Sequence, residues 1–555
     1  MAAPVRIVFL GGLGEIGRNC FCLEVDDEVV VVDCGLMFPE ADMPGVDLVL
    51  PDFTYLRERA DDVAGVVLTH AHEDHAGGLS FLLRDLSAPI YGSPLSLGLA
   101  RRRIEEAGLL GRTELIPVAD GETRRIGPVE AEFVPVTHSV PHGFAVAYHT
   151  PVGTIVHTGD FKLDLTPVDG RTTDLARLAE IGARPEGVRL LLSDSTNAER
   201  PGFTPSESTV GVAMRDLFAR HPRQRFIVAS FASHLHRVQQ VARAAIDAGR
   251  RVAMLGRSMV HNVAIGREMG VLDIPADRIV EIEEIDKFSP GEVCVICTGS
   301  QGEPMSALSL MAAHEHKWMT VTDDDVVVLS AHAIPGNEAN VDRVIDALIR
   351  AGAEVVHDRN APVHVSGHAS SEELKFMLAL IQPQWFVPVH GEYRHLMAHA
   401  HLAVDAGVAA EHVIICEDGD ALDVTDDEIT LDRRAVPAGF LYVDGIVGDV
   451  GHGVLRDRRS LAEEGVVVVI VTVDARSGEV VTGPEIVTRG WVHEAEAADL
   501  IEEAKEAVRA SLRDAAAEGA TDFETLRRHT RRAAGRFINE RTKRRPAVIP
   551  VVMEV

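Results

Sequence analysis

Apolar residues recur along this chain in two rhythms. From Ile7 to about Ser208 they form short runs of strand length, separated by turns rich in Gly, Pro and Asp. Strands are expected over 7–10, 29–32, 66–68, 131–136, 143–149 and 154–158, and a helix over 95–107, where apolar positions fall at helical spacing. Gly127-Pro128 and Pro151 to Gly153 sit where hairpins should close. The result is a sheet-rich α/β layer structure. Between about 209 and 357 the rhythm changes. Helical patterns over 209–218, 235–248 and 340–351 alternate with buried strands over 226–230, 251–255, 293–298 and 326–330, which predicts a parallel, doubly wound domain. Strands like the first set return at 363–366 and 385–390, so the middle stretch reads as an insertion.

The expected parse is a discontinuous domain of 1–208 with 358–450, an inserted domain of 209–357, a linker of 451–463 and a C-terminal domain of 464–555. In the last, strands over 466–473 and 485–492 precede an Ala/Glu-rich helix over 493–518, a basic helix over about 522–542 and a closing strand over 547–552. From Arg527 to Arg545 there are nine basic residues against one acid, Glu540. A solvated helix face and a binding surface both fit such a run.

Two motifs are misleading. Gly12-Leu-Gly14-Glu-Ile-Gly17 matches the dinucleotide fingerprint, but two strands and a polar turn follow it where a helix must open. Cys294-Val-Ile-Cys297 lies in a buried strand with no second Cys pair, so its thiols read as structural.

Composition narrows the class. The 555 residues are 46% hydrophobic and 25% charged, ordinary for a soluble globular protein, and no apolar run approaches the roughly 18 residues needed to span a bilayer. The first residues lead straight into a strand rather than a signal peptide, so a cytoplasmic address is expected. Six cysteines suggest no disulfide framework. The net charge of −31 argues against generic polyanion binding, so a nucleic-acid substrate requires a local basic groove or bound cations.

Against that background, Thr69-His70-Ala-His72-Glu-Asp74-His75-Ala-Gly-Gly78 stands out at the end of an apolar strand. Neutral imidazole and carboxylate are the donors that a borderline divalent cation such as Zn²⁺ or Mn²⁺ prefers. In an extended segment His70, His72 and Asp74 point the same way, and a turn at Asp74-His75 brings the fourth donor round. Other strand ends carry matching groups: Asp33, His138, Asp160 and His390. Single residues of this kind are usually structural, but their recurrence at successive strand exits points to a metal centre.

These residues resemble the metallo-β-lactamase superfamily. The inserted domain, with Asp194 in Leu191-Leu-Ser-Asp194, His368 in His364-Val-Ser-Gly-His368, and His390, resembles its β-CASP nuclease branch. The blocks Gly11 to Asn19, Pro44 to Asp47, Ser230 to Ser233, Gly256 to Met259, Thr298 to Pro304, Ile334 to Glu338 and Lys543 to Pro546 resemble the ribonuclease J family along essentially the whole chain. The resemblance implies an αββα sandwich with an inserted α/β β-CASP domain and a small α+β C-terminal domain. It implies two divalent ions, Zn or Mn, one on His70, His72 and His138, the other on Asp74, His75 and His390, with Asp160 bridging. Asp33 and Asp194 would orient ligand imidazoles.

On that resemblance Asp74 also takes the proton of the attacking water, and His368 protonates the leaving 3′-oxygen. Ser233, His234, His364, Ser366, Gly367 and His368 line a pocket for a 5′-monophosphate nucleotide. The implied activity is 5′→3′ exonucleolytic with some endonucleolytic cleavage of single-stranded RNA, in rRNA maturation and mRNA decay. The implied assembly is a homodimer or homotetramer, with other RNA-decay proteins as partners. His142 and His234 stand where the family usually has Asp and Asn, which bears on substrate contacts rather than on the metal set. Asp47 and Asp444 are candidates for a structural cation. A small-molecule ester or lactone hydrolase would share the metal ligands but not need the insertion or His368. Iron-binding oxidoreductases of the fold replace the equivalent of His72 by Glu, DNA-directed relatives usually lack the His at 390, and a non-catalytic RNA-binding scaffold would have lost ligands.

Overall fold

The computed structural model describes residues 4–40, 42–334, 336–445, 447–492, 497–520 and 522–555. It divides into two compact units, one of Met1–Phe38 with Val49–Phe440, the other of Pro39–Leu48 with Leu441–Val555.

In the first unit, two sheets face each other. One has eight strands in the order Ile429–Asp432, Ala421–Val424, Val5–Gly11, Cys20–Val25, Glu28–Val32, Val63–Val67, Ile90–Gly92 and Leu115–Pro117. The other has six, ordered Trp385–Val389, Val188–Asp194, Gly153–His157, Gly143–Thr150, Val129–Val136 and Thr123–Ile126. Their shared core contains Val5, Phe9, Phe21 and Val30 from the first and Phe133, Phe144, Tyr148 and Leu192 from the second, all nearly inaccessible. Truncating one such Phe to Ala costs about 3–5 kcal/mol. The outer face of the six-stranded sheet packs on the helices Leu175–Gly182, Ser371–Ile381 and Tyr393–Asp405. Strands such as Val188–Asp194, buried at every position, need that cover on both faces.

The chain leaves this sandwich after Val188–Asp194 and re-enters beside the same strand, since Trp385–Val389 pairs parallel with it. Between them lies a five-stranded parallel sheet ordered Arg251–Leu255, Val293–Cys297, Arg225–Ala229, Asp325–Leu329 and Glu354–His357. Ser208–Arg220, Leu235–Asp247 and Arg257–Glu268 pack on one face, Ala307–Ala312 and Glu338–Arg350 on the other. Cys294 and Cys297 are free and buried in the second strand of that order. The strand expected over 363–366 forms no ladder. There the carbonyls of Val363 and Val365 face the buried guanidinium of Arg237, each at 3.4 Å, and Ser330 donates to Val363 at 2.6 Å.

In the second unit, the sheet order is Val480–Arg489, Val466–Val473, Ala547–Glu554. The helices Ala498–Ala517 and Phe523–Thr542 pack on one face through Ala504, Val508, Leu512, Leu526, Ala534 and Ile538. The helix expected from 493 begins at Ala498, and 493–496 lie outside the described residues. The stretch 451–463, expected as a linker, is the helix Gly451–Glu464, anchored by the buried Leu455, and the division between units falls at 440/441. A polar sequence with one apolar anchor gives little helical periodicity to read. Among the described residues no helix is long and apolar enough to cross a membrane.

Candidate metal centre

The metal-type donors gather at the C-terminal ends of both sheets of the sandwich. His70 and His72 leave Val63–Val67, His138 leaves Val129–Val136, Asp160 follows Gly153–His157, and His390 follows Trp385–Val389. Asp74 and His75 come round on a single helical turn, Glu73–Ala76, which supplies the turn expected at that point. Asp33 and His390 have φ of 56° and 53°, left-handed values rare for non-glycine residues and concentrated at functional sites.

Two groups of donors result, each lying within 4.8 Å of one another: His70, His72, His138 and Asp160, then Asp74, His75, Asp160 and His390. In the first, His70 Nε2 and His138 Nε2 lie 3.0 and 3.1 Å from His72 Nδ1, and each is 3.6 Å from Asp160 Oδ2. In the second, Asp160 Oδ1 is 3.3 Å from His75 Nε2 and 2.8 Å from His390 Nδ1, while Asp74 Oδ2 is 3.3 Å from His390 Nε2. The two oxygens of Asp160 thus face different groups. A third grouping, Asp160, Asp194, His368 and His390, has its His368 Nδ1 engaged with Asp194 Oδ2 at 2.8 Å, which fits an orienting pair better than a ligand pair.

The residues fit divalent cations on two counts. Asp160 Oδ2 and His390 Nε2 are buried without hydrogen-bond partners, and buried donors and acceptors are rarely left so. The electrostatics agree. Burial and neighbouring imidazoles push His70 and His138 well below the ordinary range, and burial pushes His72 down to about 4, so this group offers neutral lone pairs. Burial also opposes charge on His75 and His390. The carboxylates of Asp160 and Asp74 outweigh it, raising His75 well above its ordinary value and His390 to about 10. That group demands positive charge, which a cation supplies in place of protons.

Outer partners fix the rings. Asp33 accepts from the Thr69 peptide N–H (2.8 Å), the Thr69 hydroxyl (2.7 Å) and His75 Nδ1 (2.8 Å). His138 Nδ1 meets the carbonyl of Gly367 at 2.8 Å, and a Cβ on Gly367 would approach the His138 ring to 2.7 Å. Asp194 accepts from Thr196 N and Oγ1 as well as from His368. Burial pushes His368 down, but Asp194 outweighs it and leaves the ring above its ordinary value.

Around the expected phosphate pocket, Ser366 Oγ accepts from Asn197 Nδ2 (2.8 Å) and His368 N (3.2 Å), leaving its own proton to donate. His364 and His234 are held neutral by burial and by Arg237. His364 stacks near-parallel on His332 at 6.2 Å. Ser233 is half-buried ahead of the helix Leu235–Asp247, with His234 as its N-cap residue. His142 joins neither donor group. Its φ is 62°, and it lines a cavity of about 360 Å³ with Ser93, Asp120, Phe144 and Arg171. In the second unit, Asp47 accepts from the Gly445 N–H (2.7 Å) and Asp444 pairs with Arg458, so both carboxylates have protein partners.

Sequence reasoning missed Asn19 and Arg237. Asn19 Nδ2 reaches the Asp74 carbonyl and lies 3.0 Å from His75 Nε2. Arg237, fully buried, pairs with Glu207 (2.6 Å) and holds Ser330 and the 363–365 backbone. Only the position of Asn19 in the Gly11 to Asn19 block could have flagged it.

A two-sheet sandwich with these donors at its strand ends and a parallel α/β insertion defines a metallo-β-lactamase-fold protein of the β-CASP type. Family models agree: the metallo-β-lactamase superfamily matches residues 13–195, the ribonuclease J β-CASP domain 223–348, the Zn-dependent metallo-hydrolase RNA specificity domain 354–416 and the ribonuclease J C-terminal domain 453–555. The chain is 40% identical to ribonuclease J2 of Bacillus subtilis over 552 residues, 99% of each chain, and 41% identical to ribonuclease J 1 of Streptococcus pyogenes over 550 residues, covering 99% of this chain and 97% of that one. A protein of unknown function from Enterococcus faecalis V583 shares the fold, with a TM-score of 0.53 at 16% identity over 76% of this chain and 100% of its own. The chain belongs to the ribonuclease J family.

Proposed function

We propose that the protein is a metal-dependent ribonuclease that degrades single-stranded RNA 5′→3′ from a 5′-monophosphate, with some endonucleolytic cleavage, in rRNA maturation and mRNA decay. His70, His72 and His138 would hold one ion and Asp74, His75 and His390 the other, with Asp160 between them. Bound there, a pair of Zn²⁺ or Mn²⁺ ions supplies charge neutralisation for phosphoryl oxygens and acidifies water. Asp74, a half-buried donor, accepts a proton from the attacking water. His368, kept protonated by Asp194, gives a proton to the leaving 3′-oxygen as the P–O3′ bond breaks and the water oxygen bonds to phosphorus. Ser366 donates its hydroxyl, and neutral His364 and His234 donate ring N–H groups, to the 5′-phosphate, with Ser233 and the Gly367 backbone beside them. Asp33 holds His75 in one tautomer. The reading extends to a cytoplasmic homodimer or homotetramer.

The observation that carries it is the His368–Asp194 pair set beside the two donor groups. A lactone or ester hydrolase needs no such acid. The test is turnover of a phosphodiester reporter against a carboxylic-ester reporter in Mn²⁺ and in Zn²⁺. Phosphodiester turnover alone is expected. Ester turnover alone favours the small-molecule hydrolase.

A further inference from the structure

The helix Phe523–Thr542 buries Leu526, Thr530, Ala534 and Ile538 along one side. At 3.6 residues per turn, Arg528, Arg532 and Arg536 lie on the opposite face with Gly535 and Asn539, and Arg531 stands at its edge, between that face and the buried side. Three other basic groups nearby are engaged: Arg527 with Glu524 (3.4 Å), Arg541 with Glu503 (2.8 Å), and Arg544 with the Glu463 carbonyl (3.2 Å), while the Arg545 guanidinium reaches Asn539 (3.5 Å). Among the described residues Arg531, Arg532 and Arg536 meet no carboxylate, and Arg528 reaches only the Thr525 hydroxyl (3.2 Å). Acids of the neighbouring helix turn elsewhere, Glu502 to Lys505 and Glu506 to Arg509. In a chain with 85 acids and 54 Lys and Arg, four guanidinia without carboxylates run against composition.

Gly535 lies in the middle of this face. Glycine weakens a helix interior relative to alanine. A Cβ at this position would meet nothing within 4 Å, so packing within the chain does not account for it. Flanked by Arg531, Arg532 and Arg536, it leaves the helix backbone open to close approach.

We propose that this arginine face binds the sugar-phosphate backbone of single-stranded RNA, at a site distinct from the cleavage residues. The inference rests on the ribonuclease reading. Arg528, Arg532 and Arg536 recur every four residues, about 6 Å along the axis, a linear row that suits a polymer with one charge per nucleotide. Guanidinium binds phosphate oxygens bidentately. Guanidinia in a row meet phosphates whatever the base, so binding is expected to depend little on sequence.

The test uses full-length protein in EDTA, where cleavage stops, with anisotropy of a labelled unstructured RNA across a salt series. Each phosphate neutralised on a single strand contributes about 0.7 to the log–log salt slope, so Arg528→Ala/Arg531→Ala/Arg532→Ala/Arg536→Ala should flatten the slope by about 3. Gly535→Leu should weaken RNA binding at constant charge while melting no lower than the parent. Unchanged slope and affinity in the quadruple variant overturn the proposal, and if that variant fails to fold, undiminished binding by Gly535→Leu does so. Equal affinity for poly-glutamate and RNA overturns the RNA assignment. Cleavage with added metal is scored separately: a parent that cleaves RNA while its variants bind normally refutes this site alone, whereas a parent that binds through the face but cleaves nothing refutes the ribonuclease reading alone.

Discussion

Replacing Asp33 by Asn isolates how the centre holds His75. The carboxylate is 1% exposed and receives three donors, the Thr69 N–H at Oδ1 and both the Thr69 hydroxyl and His75 Nδ1 at Oδ2. Asparagine keeps the shape but turns one oxygen into an NH₂. The Thr69 peptide donor is fixed, so the amide oxygen takes the Oδ1 position and the NH₂ faces Thr69 Oγ1 and His75 Nδ1. The hydroxyl can rotate to accept. The imidazole accepts only by moving its proton to Nε2, the nitrogen that faces Asp160 at 3.3 Å and Asp74 at 3.7 Å. A protonated Nε2 has no lone pair for a cation. Losing such an outer partner typically weakens metal binding about 10–100-fold, or about 1.4–2.7 kcal/mol. The assay is metal content by mass spectrometry after equilibration across a chelator series. Asp33→Asn should release one ion per chain at lower chelator strength than the parent, while the ion on His70, His72 and His138 stays. Parental retention of both ions by a folded variant refutes the tautomer argument.

Three further outcomes are expected. His368→Ala should cut RNA cleavage about 10²–10⁴-fold, the range of a lost general acid, with metal content unchanged, and loss of metal would reassign the residue. Gly35→Ala would put a Cβ 1.7 Å from the Asp74 carbonyl oxygen and 2.9 Å from the Asn19 nitrogen, backbone on both sides, so calorimetry should show a loss of about 1–3 kcal/mol or more, and an unshifted melt would contradict this. Burial opposes ionisation of Asp169, but His236, whose Nε2 lies 3.1 Å from the carboxylate, outweighs it and holds the carboxyl at about 2. The folded value is below the unfolded one, so the stability it adds is present above about pH 4 and is lost as pH falls toward 2. The gap in urea midpoint between parent and Asp169→Asn should therefore shrink between about pH 4 and pH 3, and a constant gap would contradict the assignment.

What could be read from the sequence follows from what each element depends on. Strands such as Arg251–Leu255 and Val466–Val473 carry their burial in their own residues, so their bounds were visible. The donors from His70 to His75 were visible because four metal-type groups in six residues are improbable without a shared role. Residues 363–366 look like a strand because Val363 and Val365 alternate with His364 and Ser366, yet the two valine carbonyls face Arg237, more than 120 positions away. Nothing local announces such a partner. The same holds for Asn19 and for the split roles of the two Asp160 oxygens, which exist only once several strand ends meet. The basic helix was visible as charge, but Gly535 gained meaning only when the structure showed open space beside it.

The most direct test of the central claim compares 5′-monophosphorylated with 5′-triphosphorylated RNA, each labelled at the 3′ end, incubated with the metal-loaded protein and resolved on a gel. The account predicts stepwise loss of the monophosphorylated RNA from its 5′ end and much slower loss of the triphosphorylated one. Negligible turnover of both, by protein carrying two ions per chain, would contradict it.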